Sequence, residues 1–440
     1  MLACALTCTT NATAQISQDS IQYGGWEKFR IGGYGEMVAA FKGYGNNRFY
    51  GATEGNPHER RNTISIPRFV VAGDYKFSKK WILGVEIEFE SGGVGTAVEI
   101  ENTENGEYES EIERGGEVAL EQFHITRLID RALNVRAGHI VVPIGQNNAH
   151  HEPVTFFGTV RPEGETTIIP NTWHETGLEL FGTLGHKLAT FDYQLQVVSG
   201  LNAQGFSRNT WAGSARQGIF EEENFTSPGY VARLDWRGVK GLRLGASFYY
   251  CVNVAKNSEK AHRYAGYGNM PVRIYNVEGQ YKHKWVEARA NALWGNLRSS
   301  DGLSKANNRP LNNSPYSTLV PIAHKAVAYG GEVGLNLQGI FNNPKFPKII
   351  PFGRFEYYNP QEERINSSIM QQLEKSSTSF TAHNEDRLKT SMWVVGINWR
   401  PLPQLVVKAD YTHRTIGSGK YNDENEVGIG MAWAGWLWKK

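Results

Sequence analysis

Side-chain polarity in this sequence alternates with a period of two, and the pattern returns from one end of the chain to the other. Trp81, Leu83, Val85, Ile87 and Phe89 are apolar, with Ile82, Gly84, Glu86, Glu88 and Glu90 between them. Leu242, Leu244, Ala246, Phe248 and Tyr250 repeat the pattern against Arg243, Gly245, Ser247 and Tyr249. Val286 to Trp294 and Leu405 to Tyr411 repeat it again. Successive residues of a strand face opposite sides of a sheet. One side here is apolar and the other is charged or small. A soluble β-sandwich also alternates. Its strands average about 5–6 residues, whereas a tilted strand crossing a bilayer needs about 9–11. About sixteen long segments can be drawn: 28–42, 60–77, 80–91, 117–127, 132–142, 175–184, 188–200, 228–237, 241–253, 271–282, 284–298, 324–339, 348–360, 388–400, 404–415 and 424–438.

The gaps between these segments alternate short and long. Short ones include Ser78-Lys79, Gly185-His186-Lys187 and Pro401-Leu402-Pro403. Long ones are 43–59, 92–116, 143–174, 201–227, 254–270, 299–323, 361–387 and a shorter 416–423. An even strand count with alternating turns and long loops predicts an all-β fold, a transmembrane antiparallel up-and-down barrel of about 16 strands. Closure leaves no unpaired edge in hydrocarbon. Val427–Trp438 is the expected closing strand against Phe29–Phe41. Clustered aromatics at Tyr249-Tyr250, Tyr357-Tyr358, Trp393, Trp399, Trp433, Trp436 and Trp438 fit interfacial girdles. Residues 28–440 read as a single barrel domain. Residues 1–14 read as a truncated signal peptide, with Ala12-Thr13-Ala14 before Gln15 as a cleavage-like site. A net charge of +2 without a basic stripe speaks against nucleic acid. The three cysteines, Cys4, Cys8 and Cys251, give no zinc spacing. The acidic run 101–117 reads as a solvated outward loop.

With the apolar face toward lipid, the other face lines the interior. That face carries Arg30, Glu36, Arg68, Asp74, Glu86, Glu88, Glu90, Arg136, Glu179, Asp192, Arg233, Asp235, Arg243, Glu278, Glu287, Arg289, Glu332, Arg354, Glu356, Lys408, Asp410 and Arg414. An Arg or Lys on the lipid face at the bilayer midplane costs about 2–4 kcal/mol, so these charges point inward. A barrel of about sixteen strands is wide enough for water. The expected function is therefore passive diffusion of small hydrophilic solutes or ions. The interior charges serve either as cross-strand pairs that stiffen the wall or as a field that sorts ions.

The loop 143–174 is the longest connection. Phe156, Phe157, Ile168, Ile169 and Trp173 are too many apolar groups for a loop in water. Pro143, Pro153, Pro162 and Pro170 exclude helix through most of it. It is expected to fold inward, narrowing the lumen. His150-His151-Glu152 and His174-Glu175 fit loop-fixing hydrogen bonds, a polar channel lining or a metal site. Neither has the H-E-x-x-H spacing of a helical zinc site, so metal is the least favoured of the three and none is assigned. No cofactor motif and no G-x-S-x-G nucleophile motif is present, so an enzyme is not expected.

The stretches RAGHIVVPIGQNNAHHEP and RPEGETTIIPNTWHETG, set in this sixteen-strand layout, resemble Bacteroidetes outer-membrane porins. They are more distantly similar to the phosphate-selective porin O and P family. Gly138 and Pro143 match that family's G-x-x-x-x-P before its inward loop, and Arg161-Pro162 stands for its later arginine. The resemblance implies a trimeric porin of a Gram-negative outer membrane, touching lipid and lipopolysaccharide. Family phosphate selectivity rests on an arginine ladder, for which Arg68, Arg136, Arg161, Arg233 and Arg243 are candidates, and on a lysine cluster that this loop lacks. The candidate pore-lining and constriction residues are Arg68, Arg136, His150, His151, Glu152, Arg161, Glu163, Arg233 and Arg243. An anion (phosphate)-selective channel is the alternative, ahead of an outer-membrane enzyme or adhesin.

Overall fold

Every one of the sixteen alternating segments becomes a strand in the computed structural model. The structure describes residues 26–44, 59–91, 93, 96–102, 108–114, 117–217, 222–308, 320–376, 388–417 and 422–440. The 1–14 signal reading lies outside them. In chain order the strands are β1 Phe29–Tyr44, β2 in two runs (Glu59–Ser65 and Arg68–Ser78), β3 Trp81–Glu90 and β4 Glu117–Leu128. They continue as β5 Asn134–Val141, β6 His174–Leu184, β7 Phe191–Val198 and β8 Gly229–Trp236. Next come β9 Leu242–Cys251, β10 Val272–Lys282, β11 Val286–Leu297 and β12 Lys325–Leu335. The last four are β13 Lys348–Glu363, β14 Thr390–Leu402, β15 Leu405–Ile416 and β16 Asp423–Lys439. Each pairs antiparallel with its neighbours in sequence, and β1 pairs with both β2 and β16. The ladder from Met37↔Met431 to Phe41↔Val427 closes the barrel as expected.

Alternation translates directly into two faces. On β3, Ile82, Gly84, Glu86 and Glu88 are buried while Trp81 and Ile87 are exposed. On β15, Lys408, Asp410 and Thr412 are buried while Tyr411 is exposed. The exposed apolar side chains, among them Phe123, Leu178, Trp294, Trp393, Trp399, Ile429 and Trp438, form the outer belt. Tyr249 and Tyr358 depart from the girdle expectation. Both face inward and are buried, Tyr249 hydroxyl accepting from the Leu201 amide at 2.9 Å. Aromatic character alone does not say which face a residue takes.

Two prolines, Pro67 and Pro351, fall inside strand segments, where a missing amide can break the ladder. Pro67 does interrupt β2, whereas Pro351 sits in an unbroken ladder opposite Ile397. A consequential slip lies elsewhere. Glu86 pairs with Gln122 but Ile87 pairs with Leu120, so Glu121 is the extra residue of a β-bulge. At Gly138 the backbone takes φ +137°, and a Cβ there would fall 2.2 Å from the Phe123 carbonyl oxygen. This accounts physically for the glycine of the G-x-x-x-x-P match. The acidic segment is not an open loop throughout: Thr96–Asn102 and Tyr108–Arg114 pair as a separate hairpin.

Candidate functional site

The connection between β5 and β6 folds into the lumen. Its prolines leave room for only two short helices, α1 Gln146–Ala149 and α2 Glu163–Ile168. Glu165 holds them together. Its carboxylate accepts from the Asn147 amide (3.1 Å), the Asn148 amide (2.6 Å), the Asn147 side chain (3.1 Å) and Asn291 Nδ2 on β11 (2.9 Å). Burial pushes this carboxyl up to about 7, against the pull of the Asn147 and Asn148 amides. A raised folded-state value means that ionisation weakens docking. The contribution is complete below the free carboxylate range and is lost as pH rises through about 7. Open-channel current noise from loop motion should therefore rise through that pH. Glu165→Ala orphans two buried amides at about 1–3 kcal/mol each and should make the noise high at every pH.

The loop is tied to nearly the whole circumference. Arg233 on β8 donates to Pro143 O (3.2 Å), and Gln146 donates to Gly279 O on β10 (3.2 Å). Arg400 on β14 donates to Val154 O (2.8 Å), and Arg354 on β13 to Val160 O (3.1 Å). Phe157 stacks on Phe352 of β13 at 5.4 Å. Lys408 on β15 donates to Pro153 O, Phe156 O and Gly158 O at 2.7, 2.9 and 2.8 Å. Two residues further, Asp410 takes the Thr159 hydroxyl at 3.1 Å. Small residues of β16 make room, since a Cβ on Gly428 would lie 2.3 Å from Thr159 Oγ1. Further along the loop, Ile168, Ile169 and Trp173 join one apolar core with Phe206, Trp211, Leu303 and Met370 of later long loops.

The structure distributes the expected site residues into separate groups. Arg68 pairs with Glu36 at 3.1 Å and donates to His151 O. His151 lies 2.8 Å from Glu121, and burial, which alone would lower it, is outweighed by that carboxylate, so it is raised. Glu152 is buried beside it. Arg233 and Arg243 share Glu278 at 2.6 and 3.0 Å. Arg243 also donates to His150, which burial and that guanidinium push well below the usual imidazole range. This second group borders a cavity of ≈ 160 Å³ on the side of the short turns, together with Arg131 and Arg237. Arg136 belongs to neither group: it pairs with Glu179 at 2.8 Å and is 1 % exposed. Glu163 binds Arg414 at 2.9 Å, and Arg414 also holds Glu426.

Arg161 differs from the other four arginines. Among the described residues it makes no ion pair, donating instead to Thr172 Oγ1 at 3.0 Å. It sits in the field of Arg68, Glu36, Glu88 and Tyr34, that is, facing β1–β3. Burial together with Arg68 lowers it to about 10, still charged at neutral pH. Its neighbour Val160 is the exposed member of 142–170, at 39 %. Val160 and Arg161 thus lie on the part of the loop nearest Glu36, Arg68 and Glu88. Glu36 and Glu88 were legible as inward residues but not as groups near Arg161. Glu121 was missed altogether, because strict alternation places it with outward Phe123.

A closed sixteen-stranded barrel with an apolar outer belt and an inward loop is the architecture of outer-membrane porins. The solved structures agree. An anion-selective porin from Comamonas acidovorans matches with TM-score 0.50 and 8 % identity, over 93 % of this chain and 99 % of that one. The outer membrane channel DcaP of Acinetobacter baumannii matches with TM-score 0.52 and 12 % identity, over 92 % and 96 %. OmpF of Salmonella typhi gives TM-score 0.52 and 12 % identity, over 92 % and 98 %. At such identities the likeness is one of fold. No family model matches the chain. An uncharacterized protein of Aquifex aeolicus (strain VF5) is 22 % identical over 395 residues, 89 % of this chain and 77 % of that protein.

Proposed function

We propose that this protein is an outer-membrane porin that lets small hydrophilic solutes or ions diffuse passively past the constriction at Val160 and Arg161. The observation that carries this is the loop itself. It is fastened to the wall by named bonds on strands from β2 to β15, an arrangement that narrows a wide lumen to a fixed size. The interior charges are mostly matched: Arg68–Glu36, Arg136–Glu179, Arg233–Asp235, Arg289–Glu332 and Arg414–Glu426 are ion pairs. Paired arginines present little net field to a passing anion, so weak selectivity fits better than a phosphate ladder. The kinship with Bacteroidetes porins and assembly as a homotrimer in contact with lipid and lipopolysaccharide rest on the sequence resemblance.

The test is the zero-current potential of the reconstituted protein in a salt gradient, with and without phosphate. A conducting channel with weak selectivity supports the proposal. Strong anion preference with block by phosphate would favour the phosphate-selective alternative. Well-folded protein without conductance would overturn the porin reading.

A further inference from the structure

Where the inward loop meets β3 and β4, three buried side chains converge: Glu86, Glu121 and His151. One carboxylate oxygen from each acid and one ring nitrogen of His151 all lie within 4.8 Å of one another. The bulge creates this arrangement. It turns both Glu121 and Gln122 into the lumen, and Gln122 Nε2 then donates to Glu86. His151 Nδ1 lies 3.0 Å from the Asn148 carbonyl oxygen. A carbonyl only accepts, so Nδ1 carries the proton and Nε2 points at the acids. Nε2 stands 2.8 Å from Glu121 Oε1, so a proton or a metal ion lies between the two.

A second observation points to a ligand. Glu88, the next inward residue of β3, is 4 % exposed and lies in the field of Glu121. Its Oε1 is buried and has no hydrogen-bond partner among the described residues. Arg68 is already engaged by Glu36 and by the His151 carbonyl. Tyr34 donates to both oxygens of Glu121 at 3.1 and 2.9 Å, which fixes its orientation but adds no positive charge. Two carboxylates therefore meet one imidazole, with Glu88 beside them in the field of Glu121 and with Arg68 and Arg161 as the cations that act on Glu88.

We propose that Glu86, Glu121 and His151 bind a divalent transition-metal ion of the Zn²⁺ or Mn²⁺ kind, with Glu88 as a further oxygen donor. Imidazole with carboxylates suits these ions, whereas Ca²⁺ and Mg²⁺ prefer all-oxygen shells. Metal–ligand bonds of about 2.0–2.2 Å place neighbouring ligand atoms about 3.4 Å apart, within reach of side-chain rotation here. The Asn148 carbonyl supplies the support that a metal-bound histidine usually receives at its other nitrogen. The ion would join the loop to two strands of the wall. The site needs the docked loop but not conduction, so it stands or falls separately from the transport reading.

The test uses the full chain folded in detergent, stripped with chelator and titrated with Zn²⁺ and with Co²⁺ as an optical probe. One ion per chain is expected, with Co²⁺ absorption typical of mixed nitrogen and oxygen ligation. Glu86→Gln and His151→Gln should each weaken binding by about 100-fold. Heat-modifiable gel migration reports whether each variant still forms the barrel. Because Glu86 bonds only Gln122 among the described residues, Glu86→Gln tests the site even if His151→Gln loosens the loop. Absence of binding to the native chain would overturn the proposal. So would full binding by a folded Glu86→Gln, Glu121→Gln double variant, which would place the ion elsewhere, for instance on the acidic 101–117 segment.

Discussion

Lys408→Met is expected to free the 153–159 part of the inward loop and to raise single-channel conductance by roughly twofold, since pore diameter governs flux. All three ammonium hydrogens of Lys408 are used, each on a different loop carbonyl, and the charge lies 4.0 Å from the Phe156 ring. Methionine keeps the length of the stem but leaves three buried carbonyls unpaired, at about 1–3 kcal/mol each. That sum, about 3–9 kcal/mol, is at least as large as the about 3–6 kcal/mol of the two Thr159–Asp410 contacts, bonds to a charged group worth about 1.5–3 kcal/mol each. The β15 ladder is backbone-bonded, so the barrel itself should persist and still migrate as a folded species. Planar-bilayer recording gives the conductance, and limited proteolysis at 153–159 reports detachment. Native conductance with native protease resistance would mean that the remaining anchors, among them Arg400, Arg354 and Asp410, hold this part of the loop without Lys408.

Arg161→Glu should shift selectivity toward cations. Among the described residues Arg161 makes no ion pair, so its charge acts on the lumen rather than on a partner. It faces Glu36 and Glu88. Reversal turns a mixed-sign constriction into one lined mainly by acids, and acidic rings favour cations. The zero-current potential should move toward the cation limit by a substantial fraction of the ~59 mV that a tenfold gradient supports for a monovalent ion. Arg136→Glu is the contrast. Arg136 is sealed against Glu179, so its reversal should damage folding before it alters selectivity. Equal shifts from both variants would remove Arg161 from the constriction.

The alternation of Trp81–Glu90 and Leu405–Thr412 was enough to place strands, faces and the closing pair, because burial on one face of a strand repeats every second residue whatever the neighbours are. The same rule failed at Glu121. A bulge inserts a residue without any mark in the local pattern, since its cause is pairing with β3. Tyr249 was misplaced for a related reason: a tyrosine suits a membrane interface and a buried hydrogen bond equally, and only the Leu201 amide decides between them. The loop was recognisable as inward from its apolar residues and prolines, but its anchors were not, because Lys408, Arg354 and Arg400 come from strands far along the chain.

The sequence by itself determined the barrel, its strand number, its two faces and which loop turns inward. These follow from period, segment length and the cost of charge in hydrocarbon, all of them local quantities. Only the tertiary structure decided what each interior charge does. Arg68, Arg136, Arg161, Arg233 and Arg243 are alike in sequence. Four are matched by carboxylates of the barrel wall, and Arg161 meets a hydroxyl. That difference arises from distances of about 3 Å between residues tens of positions apart, which no local pattern encodes.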